Sequence, residues 1–551
     1  MDSKRFELPF LNWPRPTRAL LHSESMAGLT VGLMVIPQGV AYAALAGMPL
    51  ITGIYASLLP ALVAVLFSAS PRLSVGPTAL TAMLVSASLA GLAQPGSPEW
   101  VNLAVWLSLL TGGLQLLLGY ARFGWLLNLV SSPVLLAFTQ GAAVLIISSQ
   151  VPALLGMPQG WASWSAPQTW DGASLLMGVG CLGLLMAVRR WRPTFPTVLV
   201  VVLGSALISH LLHMGEQGSA IVGALPEGLP AFYWPTALDW GGFKQLVLPT
   251  LVITLVSFLE TASSAKVDND RAGTRWNQDQ DLIGQGLAKI ASGLCGAFPT
   301  SSSFSRSALN LYAGAQTGWA TIASVVVILL CLLLLTPLLY PVPQSVLAAI
   351  VIAAVVGLLK PRALWRLVKV DRVEAATACV TFVITLLSAP RLYWGVLAGV
   401  VMSLSHFLHT RLHPRIIEVG LHSDGSLRDR HLWDLPPLAP NLYALRMDAA
   451  LDFAAAATFE RTLTTHLSLH PDVRHVCLFA VPINRVDVTG VETFAKLEAM
   501  LRERGVTLHI SGMKLPVETV LRRADCLAPH AGLCMYRTDA EALAALKELV
   551  G

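Results

Sequence analysis

Runs of about 20 consecutive apolar residues, long enough as helices to cross about 30 Å of hydrocarbon, recur along most of this chain. They fall near 26–46, 50–68, 101–119, 125–151, 173–188, 196–213, 245–265, 282–297, 319–340, 342–359, 374–388 and 391–410. Lipid offers the backbone no hydrogen-bond partners, so unbroken runs of this length are expected to be helices. Two further runs are short, and each follows a helix-breaking or polar cluster: Pro77 to Ala90 after Ser-Val-Gly, and Phe304 to Ala313 after Pro-Thr-Ser-Ser-Ser. Twelve full runs and these two make fourteen expected crossings.

Composition agrees with a chain that lives mostly in lipid: 54% of residues are hydrophobic and 13% charged, against about 25% charged in a soluble domain. Charged residues return beyond about residue 410. The expected organisation is a membrane domain over 1–412, a linker with the first strand of a soluble domain over 413–440, and the soluble domain proper over 441–551. The seven cysteines form no Cys-x-x-Cys pair and read as packing residues. The first 25 residues carry Lys4, Arg5, Glu7, Arg15 and Arg18 with no cleavage-site pattern, so the first apolar run is expected to stay.

Charge placement orients the crossings, because cytoplasmic loops collect Lys and Arg. With the N-terminus inside, alternate loops hold Arg72; Arg122; Arg189, Arg190 and Arg192; Lys266, Arg271 and Arg275; and Lys360, Arg362, Arg366, Lys369 and Arg372. The segments 152–172, 214–243, 298–302 and 341–345 between them contain no Lys or Arg, and the main exceptions on that side are Lys244 and Arg391 at span ends. Both ends of the chain are therefore expected in the cytoplasm, with the protein in the inner (plasma) membrane. The net charge of +5 is explained by these loops, and nucleic acid is not an expected partner. Fourteen crossings divide into seven and seven of opposite orientation, the plan of inverted-repeat transporters. The two short runs would then point their N-termini at each other, and such termini aim amide groups and positive dipole ends at an anion.

Phe298-Pro-Thr-Ser-Ser-Ser-Phe-Ser-Arg-Ser-Ala-Leu-Asn310 places Arg306 in a hydroxyl-rich turn. An arginine near the bilayer centre costs about 2.5–3.5 kcal/mol on insertion scales, so it needs a polar cavity or a partner. In the first half the counterpart is Leu73-Ser-Val-Gly-Pro-Thr-Ala-Leu80, where Gly76 lets the backbone approach a ligand and Pro77 suits a first helical turn. Pro37-Gln-Gly-Val-Ala-Tyr42 suggests a broken helix, with Gln38 and Tyr42 on one face, for either ligand contact or packing. Glu260 is the acidic residue deep in a span and requires a proton or a cation; a static salt bridge to Arg306 or Lys266 is the alternative. Ser264 lies four residues on, beneath the same face. Nothing in the spans has metal spacing, a nucleophile elbow or a nucleotide phosphate loop, so neither an enzyme nor a cofactor is expected.

These motifs, with PQGVAYAALAGMP at 37–49, Ile221-Val-Gly-Ala-Leu-Pro-Glu-Gly-Leu-Pro230, FLETASSAK at 258–266 and SFSRSALN at 303–310, resemble the SulP family of anion transporters, which includes sulfate permeases, pendrin and prestin. The resemblance implies an all-α polytopic membrane domain of fourteen segments in a seven-plus-seven inverted repeat. Spans one to four and eight to eleven form a core, and the others a gate. Carried over by position, it implies an anion site at Gln38, Tyr42, Gly76, Pro77, Thr78, Ser303, Phe304 and Ser305, with Arg306 supplying the field. Glu260, with Ser264, takes the ion-coupling position, where a cyanobacterial sodium-coupled bicarbonate member has Asp. Glu here favours protons over sodium. Lys289 departs from the family, which usually has Asn there.

The tail resembles a small α/β STAS domain. Leu442 to Phe453 reads as a strand with its exit, His475 to Ala480 and Thr507 to Ser511 as strands, and Val491 to Arg504 as an amphipathic helix. Asp487-Val-Thr-Gly490 matches the loop where bacterial anti-sigma-factor antagonists carry a phosphorylated serine, but Val488 stands in that place. The expected function is secondary active, proton-coupled sulfate uptake by alternating access, in a lipid-embedded homodimer. The alternatives are a bicarbonate or C4-dicarboxylate symporter, and an uncoupled anion channel or voltage-responsive anion-binding protein.

Overall fold

The structure, a computed structural model, describes residues 8–550 apart from 159, 192–194, 196, 227, 335 and 390. Lys4, Arg5, Glu7, Arg192 and Glu227, used above, lie outside the described residues. The chain divides into two compact units, 1–403 and 404–551.

Every apolar run named above carries a helix. In the first unit α1 (Arg18–Leu45) is followed by α2 (Thr52–Tyr55), α3 (Leu59–Phe67), the short strand β1 (Val75–Gly76), α4 (Ala79–Leu89), α5 (Pro98–Tyr120), α6 (Ser132–Leu154), α7 (Gly172–Trp191) and α8 (Thr197–Leu211). The same order then recurs with α9 (Trp240–Ala272), α10 (Gln278–Leu294), β2 (Ser301–Ser302), α11 (Phe304–Tyr312), α12 (Trp319–Leu334), α13 (Gln344–Val356), α14 (Pro361–Val370), α15 (Arg372–Leu387) and α16 (Tyr393–Leu412). Among the described residues six segments are long and apolar enough to cross a membrane, the sixth of them, Gln344–Val370, running through the break between α13 and α14.

Two expectations need correction. Pro37 does not break α1, which continues from Arg18 to Leu45; the helix is buried on both sides of the proline, and its packing holds the residues that flank the missing amide. The basic stretch 360–373, read as a loop, folds into α14, which has Ala363, Leu364 and Leu367 half-buried at helical spacing and Arg362, Arg366 and Lys369 exposed. It is too short and too charged to have registered as a span.

The caps are local. Ser97 accepts the Trp100 amide at 3.1 Å ahead of Pro98 in the first turn of α5, and α9 ends on Gly273 at φ 64°. Packing is not local: α1 lies against α12 and α11, while α9 lies against α5 and α4. This exchange between halves assembles α1, α3, α4, α5, α9, α10, α11 and α12 into one group. Helix α2 packs on α1, and α7, α8 and α14 gather around α6, α13 and α15. Close approach depends on small residues: a Cβ on Gly112 of α5 would stand 2.7 Å from the Gly286 carbonyl of α10.

The second unit is a six-stranded sheet in the order β4 (Leu427–Asp429), β3 (Ile416–Leu421), β5 (Leu442–Met447), β6 (His475–Phe479), β7 (Thr507–Ser511) and β8 (Leu533–Tyr536). The strands β5 to β8 are parallel, and β3 runs antiparallel to β4 and β5. Parallel strands need crossovers, here α17 (Ala456–Leu469), α18 (Val488–Glu503) and α19 (Leu515–Arg523), with α20 (Asp539–Val550) closing the chain. Phe459, Leu463, Phe494 and Leu497 pack on Leu445, Leu478 and Ile510. The stretch Asp487–Gly490 is not a loop: Asp487 caps α18 by accepting the Gly490 amide at 2.9 Å, so the helix starts at Val488, whose side chain is 75% exposed.

His509 of β7 is fully buried between His475, whose Nδ1 lies 3.1 Å from its Nε2, and the Tyr536 hydroxyl, 3.1 Å from its Nδ1. Burial, helped by His475, pushes its pKa from 6.5 down to about 4. The unfolded chain then binds a proton that the folded chain does not, so stability is lost as pH falls from 6.5 toward about 4. The calorimetric midpoint of residues 413–551 should drop across that window, and His509→Asn should flatten the drop. Identical profiles for the two would remove His509 as its cause.

Candidate functional site

The two short strands meet. Val75 pairs with Ser302 and Gly76 with Ser301, antiparallel, and the Ser303 amide donates to the Ser74 carbonyl at 3.0 Å. Each strand runs directly into a half-length helix, α4 or α11, so the two N-termini sit side by side at the crossing. Thr78 caps α4 by accepting the Thr81 amide at 3.3 Å, and Ser303 caps α11 by accepting the Arg306 amide at 3.5 Å. Two helix N-termini together make an electropositive niche lined by backbone amides.

Arg306 reaches back across this crossing and is 1% exposed. Its Nη1 donates to the Pro77 carbonyl at 2.9 Å and to Gln38 Oε1 at 3.5 Å, and its Nε to Ser74 Oγ at 3.3 Å. Among the described residues its Nη2 has no hydrogen-bond partner. That nitrogen lies 3.4 Å from where a Cβ on Gly76 would stand, so the missing side chain is what leaves its approach open. A buried guanidinium with one edge anchored and one nitrogen unpaired is chemically a receptor for an oxyanion.

Glu260 of α9 faces the same crossing. One carboxylate oxygen accepts from Thr78 Oγ1 at 3.1 Å and from Thr81 Oγ1 at 3.3 Å. Hydroxyls hold it, so the expected alternative of a static salt bridge to Arg306 or Lys266 is not what the described residues form. Tyr42 is buried within electrostatic range of both Arg306 and Glu260.

The structure therefore brings Gln38, Tyr42, Gly76, Pro77, Thr78, Ser303, Arg306 and Glu260 to one place. Phe304 and Ser305 stand at its exposed rim, where the Ser305 hydroxyl is 3.3 Å from that of Ser303. The Ser264 hydroxyl donates to the Glu260 main-chain carbonyl at 3.1 Å instead of facing the carboxylate. Sequence reasoning missed Ser74 and Thr81, although both lie inside or beside motifs already singled out. It also passed over Gln115 of α5, which accepts a hydrogen bond from the fully buried Lys289 at 2.9 Å; that pairing has no signal in either segment alone. Among the described residues no cluster of His, Cys, Asp and Glu could hold a metal ion.

The sulfate permease family model matches residues 21–381, most of the chain, and the STAS domain model matches residues 437–529. This chain belongs to the sulfate permease family. It is 32% identical over 530 residues to a probable sulfate transporter 4.2 of Arabidopsis thaliana, covering 91% of this chain and 77% of that one. It is 31% identical over 522 residues to a probable sulfate transporter of Mycobacterium tuberculosis, covering 93% and 92%. In fold it is similar to the murine solute carrier 26 family member A9 anion transporter, at a TM-score of 0.87 and 19% identity over 99% of this chain and 96% of that one. As a sulfate permease family member it is a polytopic membrane transporter of anions rather than an enzyme. The fold is a mostly helical membrane domain followed by an α/β STAS domain.

Proposed function

We propose that this protein is a secondary active sulfate transporter that couples uptake to protons. The observation that carries the reading is the Nη2 of buried Arg306, unpartnered among the described residues and beside Gly76, at the N-termini of α4 and α11. The names of the most similar relatives favour sulfate among oxyanions. Glu260, held by two hydroxyls beside the anion niche, is suited to take up and release the coupling proton. In this reading the chain crosses the inner membrane fourteen times as an inverted repeat with both ends in the cytoplasm, and it works as a homodimer in lipid. The helices that carry the niche move as a body against those around α6, α13 and α15, exposing the site to each side in turn.

The test is uptake of radiolabelled sulfate by proteoliposomes holding the full chain under an inward proton gradient. Glu260→Gln should cut gradient-driven accumulation by about tenfold or more while sulfate binding survives, because coupling and affinity are separable free energies. Accumulation that follows a sodium gradient instead would move the coupling ion to sodium. Uptake of bicarbonate or succinate without sulfate would replace the substrate, and flux with no accumulation under any gradient would make the protein a channel.

A further inference from the structure

Lys289 is a fully buried lysine in the middle of α10. Its Nζ donates to Gln115 Oε1 at 2.9 Å, and the Gln115 amide nitrogen donates to Ser257 Oγ and to the Thr254 carbonyl, both at 3.1 Å. The Ser257 carbonyl in turn accepts from Ser301 Oγ at 3.0 Å, and Ser301 is the residue paired with Gly76 in the strand crossing. Three residues along α9 from Ser257, on the same face, is Glu260. A continuous set of hydrogen bonds thus joins Lys289 to the niche. Glu260 lies within electrostatic range of both cations.

A buried charge in the membrane must be neutralised, so the charge count matters. The other ionisable groups on the packed elements are accounted for elsewhere. Asp268 is paired with Arg72, whose Nε lies 2.6 Å from its Oδ1. Asp281 accepts from the Ser70 amide and hydroxyl and from Trp276. Asp279, on α10, accepts the Gly124 amide. The buried Glu24 of α1 accepts the Gln316 and Thr317 amides, and Arg18 and His22 lie in the first turns of that helix. Lys266, Asp270 and Lys244 lie toward the ends of α9, and Glu99 and Tyr120 at the ends of α5. Tyr42 is neutral as a phenol. Among the described residues, what remains around the niche is Arg306 and Lys289 against Glu260.

We propose that Lys289 is a second fixed cation of the anion site, and that it sets how many protons accompany each anion. With Glu260 ionised the set carries one net positive charge, which a monovalent anion neutralises without a proton. A divalent anion is neutralised only when Glu260 also takes one. The proton goes onto the Glu260 carboxylate as a divalent anion binds and leaves with it. Without Lys289 the empty set is neutral, a monovalent anion needs the Glu260 proton, and a divalent anion is left with uncompensated charge. This deepens the oxyanion-transport reading and rests on it.

The experiment is proton uptake on anion binding by the purified full chain in weakly buffered, mildly acidic detergent solution, read with a pH dye, with sulfate and nitrate as probes. The wild type should take up roughly one proton with sulfate and none with nitrate. Lys289→Asn should take up roughly one proton with nitrate and bind sulfate at least about tenfold more weakly. Lys289→Arg should behave as the wild type. Gln115→Glu, which sets a carboxylate against the ammonium, should behave as Lys289→Asn. Uptake of a proton with nitrate by the wild type overturns the proposal without need of any variant, as does uptake of two with sulfate. If sulfate fails to bind the wild type, the sulfate reading fails alone, and the nitrate comparison still decides the role of Lys289.

Discussion

Arg306→Ala is expected to weaken sulfate binding by about a hundredfold or more and to stop uptake at physiological concentrations. The size follows from what the side chain does. Deleting one partner of a buried, hydrogen-bonded charge pair costs about 2–5 kcal/mol, and each 1.4 kcal/mol is a factor of ten. Arg306 has no substitute for its Nη2, the one guanidinium nitrogen without a partner among the described residues. Lysine should rescue little: its ammonium is a point charge on a flexible stem and cannot hold Ser74 and Pro77 while offering a further planar donor to the anion. Scintillation-proximity binding and proteoliposome uptake check this, with gel filtration to show that the variant is folded. Uptake within about threefold of wild type would place the anion elsewhere.

Gly53→Val should prevent recovery of folded protein, and Gly53→Ala should destabilise it by about 3 kcal/mol or more, beyond the usual range of overpacking. A Cβ on Gly53 would stand 1.9 Å from the carbonyl oxygen of Gly39, and one on Gly39 would stand 2.7 Å from that of Gly53. Both obstacles are main chain, so no rotamer change can clear them; α1 and α2 must separate. Gly39 lies between Gln38 and Tyr42 on α1, so separation also moves the wall of the niche that faces Arg306. Thermal melting in detergent and sulfate binding should fall together. A Gly53→Ala melting point equal to wild type would mean that the helices have slack the close approach does not suggest.

The parts of this fold that could be read from sequence are those set by short-range chemistry. The apolar runs register because lipid admits only helices of sufficient length, and Ser-Val-Gly-Pro and Pro-Thr-Ser-Ser-Ser register because they cannot continue one. The strand at Thr507–Ser511 is visible as an alternation of apolar and polar residues from Val506 to Ser511, bounded by Gly505 and Gly512. The errors have the same origin. Proline in a peptide breaks a helix, but Pro37 sits in α1 because tertiary packing outweighs the lost hydrogen bond. The basic loop after α13 hides an amphipathic helix because its apolar residues are spaced by the helical period instead of being consecutive. The sequence pattern starts α18 late, at Val491, because Asp487 reads as part of a loop motif and not as a cap.

The candidate site divides in the same way. Arg306 and Glu260 stand out in sequence because a charge in an apolar run demands an explanation, whatever it touches. Which of their atoms are held and which are free is decided only when segments far apart in the chain meet: Arg306 with Ser74 and Pro77, Glu260 with Thr78, and Lys289 with Gln115, 174 residues away. Sequence determined by itself that the chain crosses a membrane through helices and breaks two of them at polar turns, because hydrophobic length and helix-breaking residues act within one segment. Tertiary structure alone decided that the two breaks pair, which guanidinium nitrogen stays unpaired, and which buried lysine joins the charge count, because hydrogen bonds and Coulomb forces act through space.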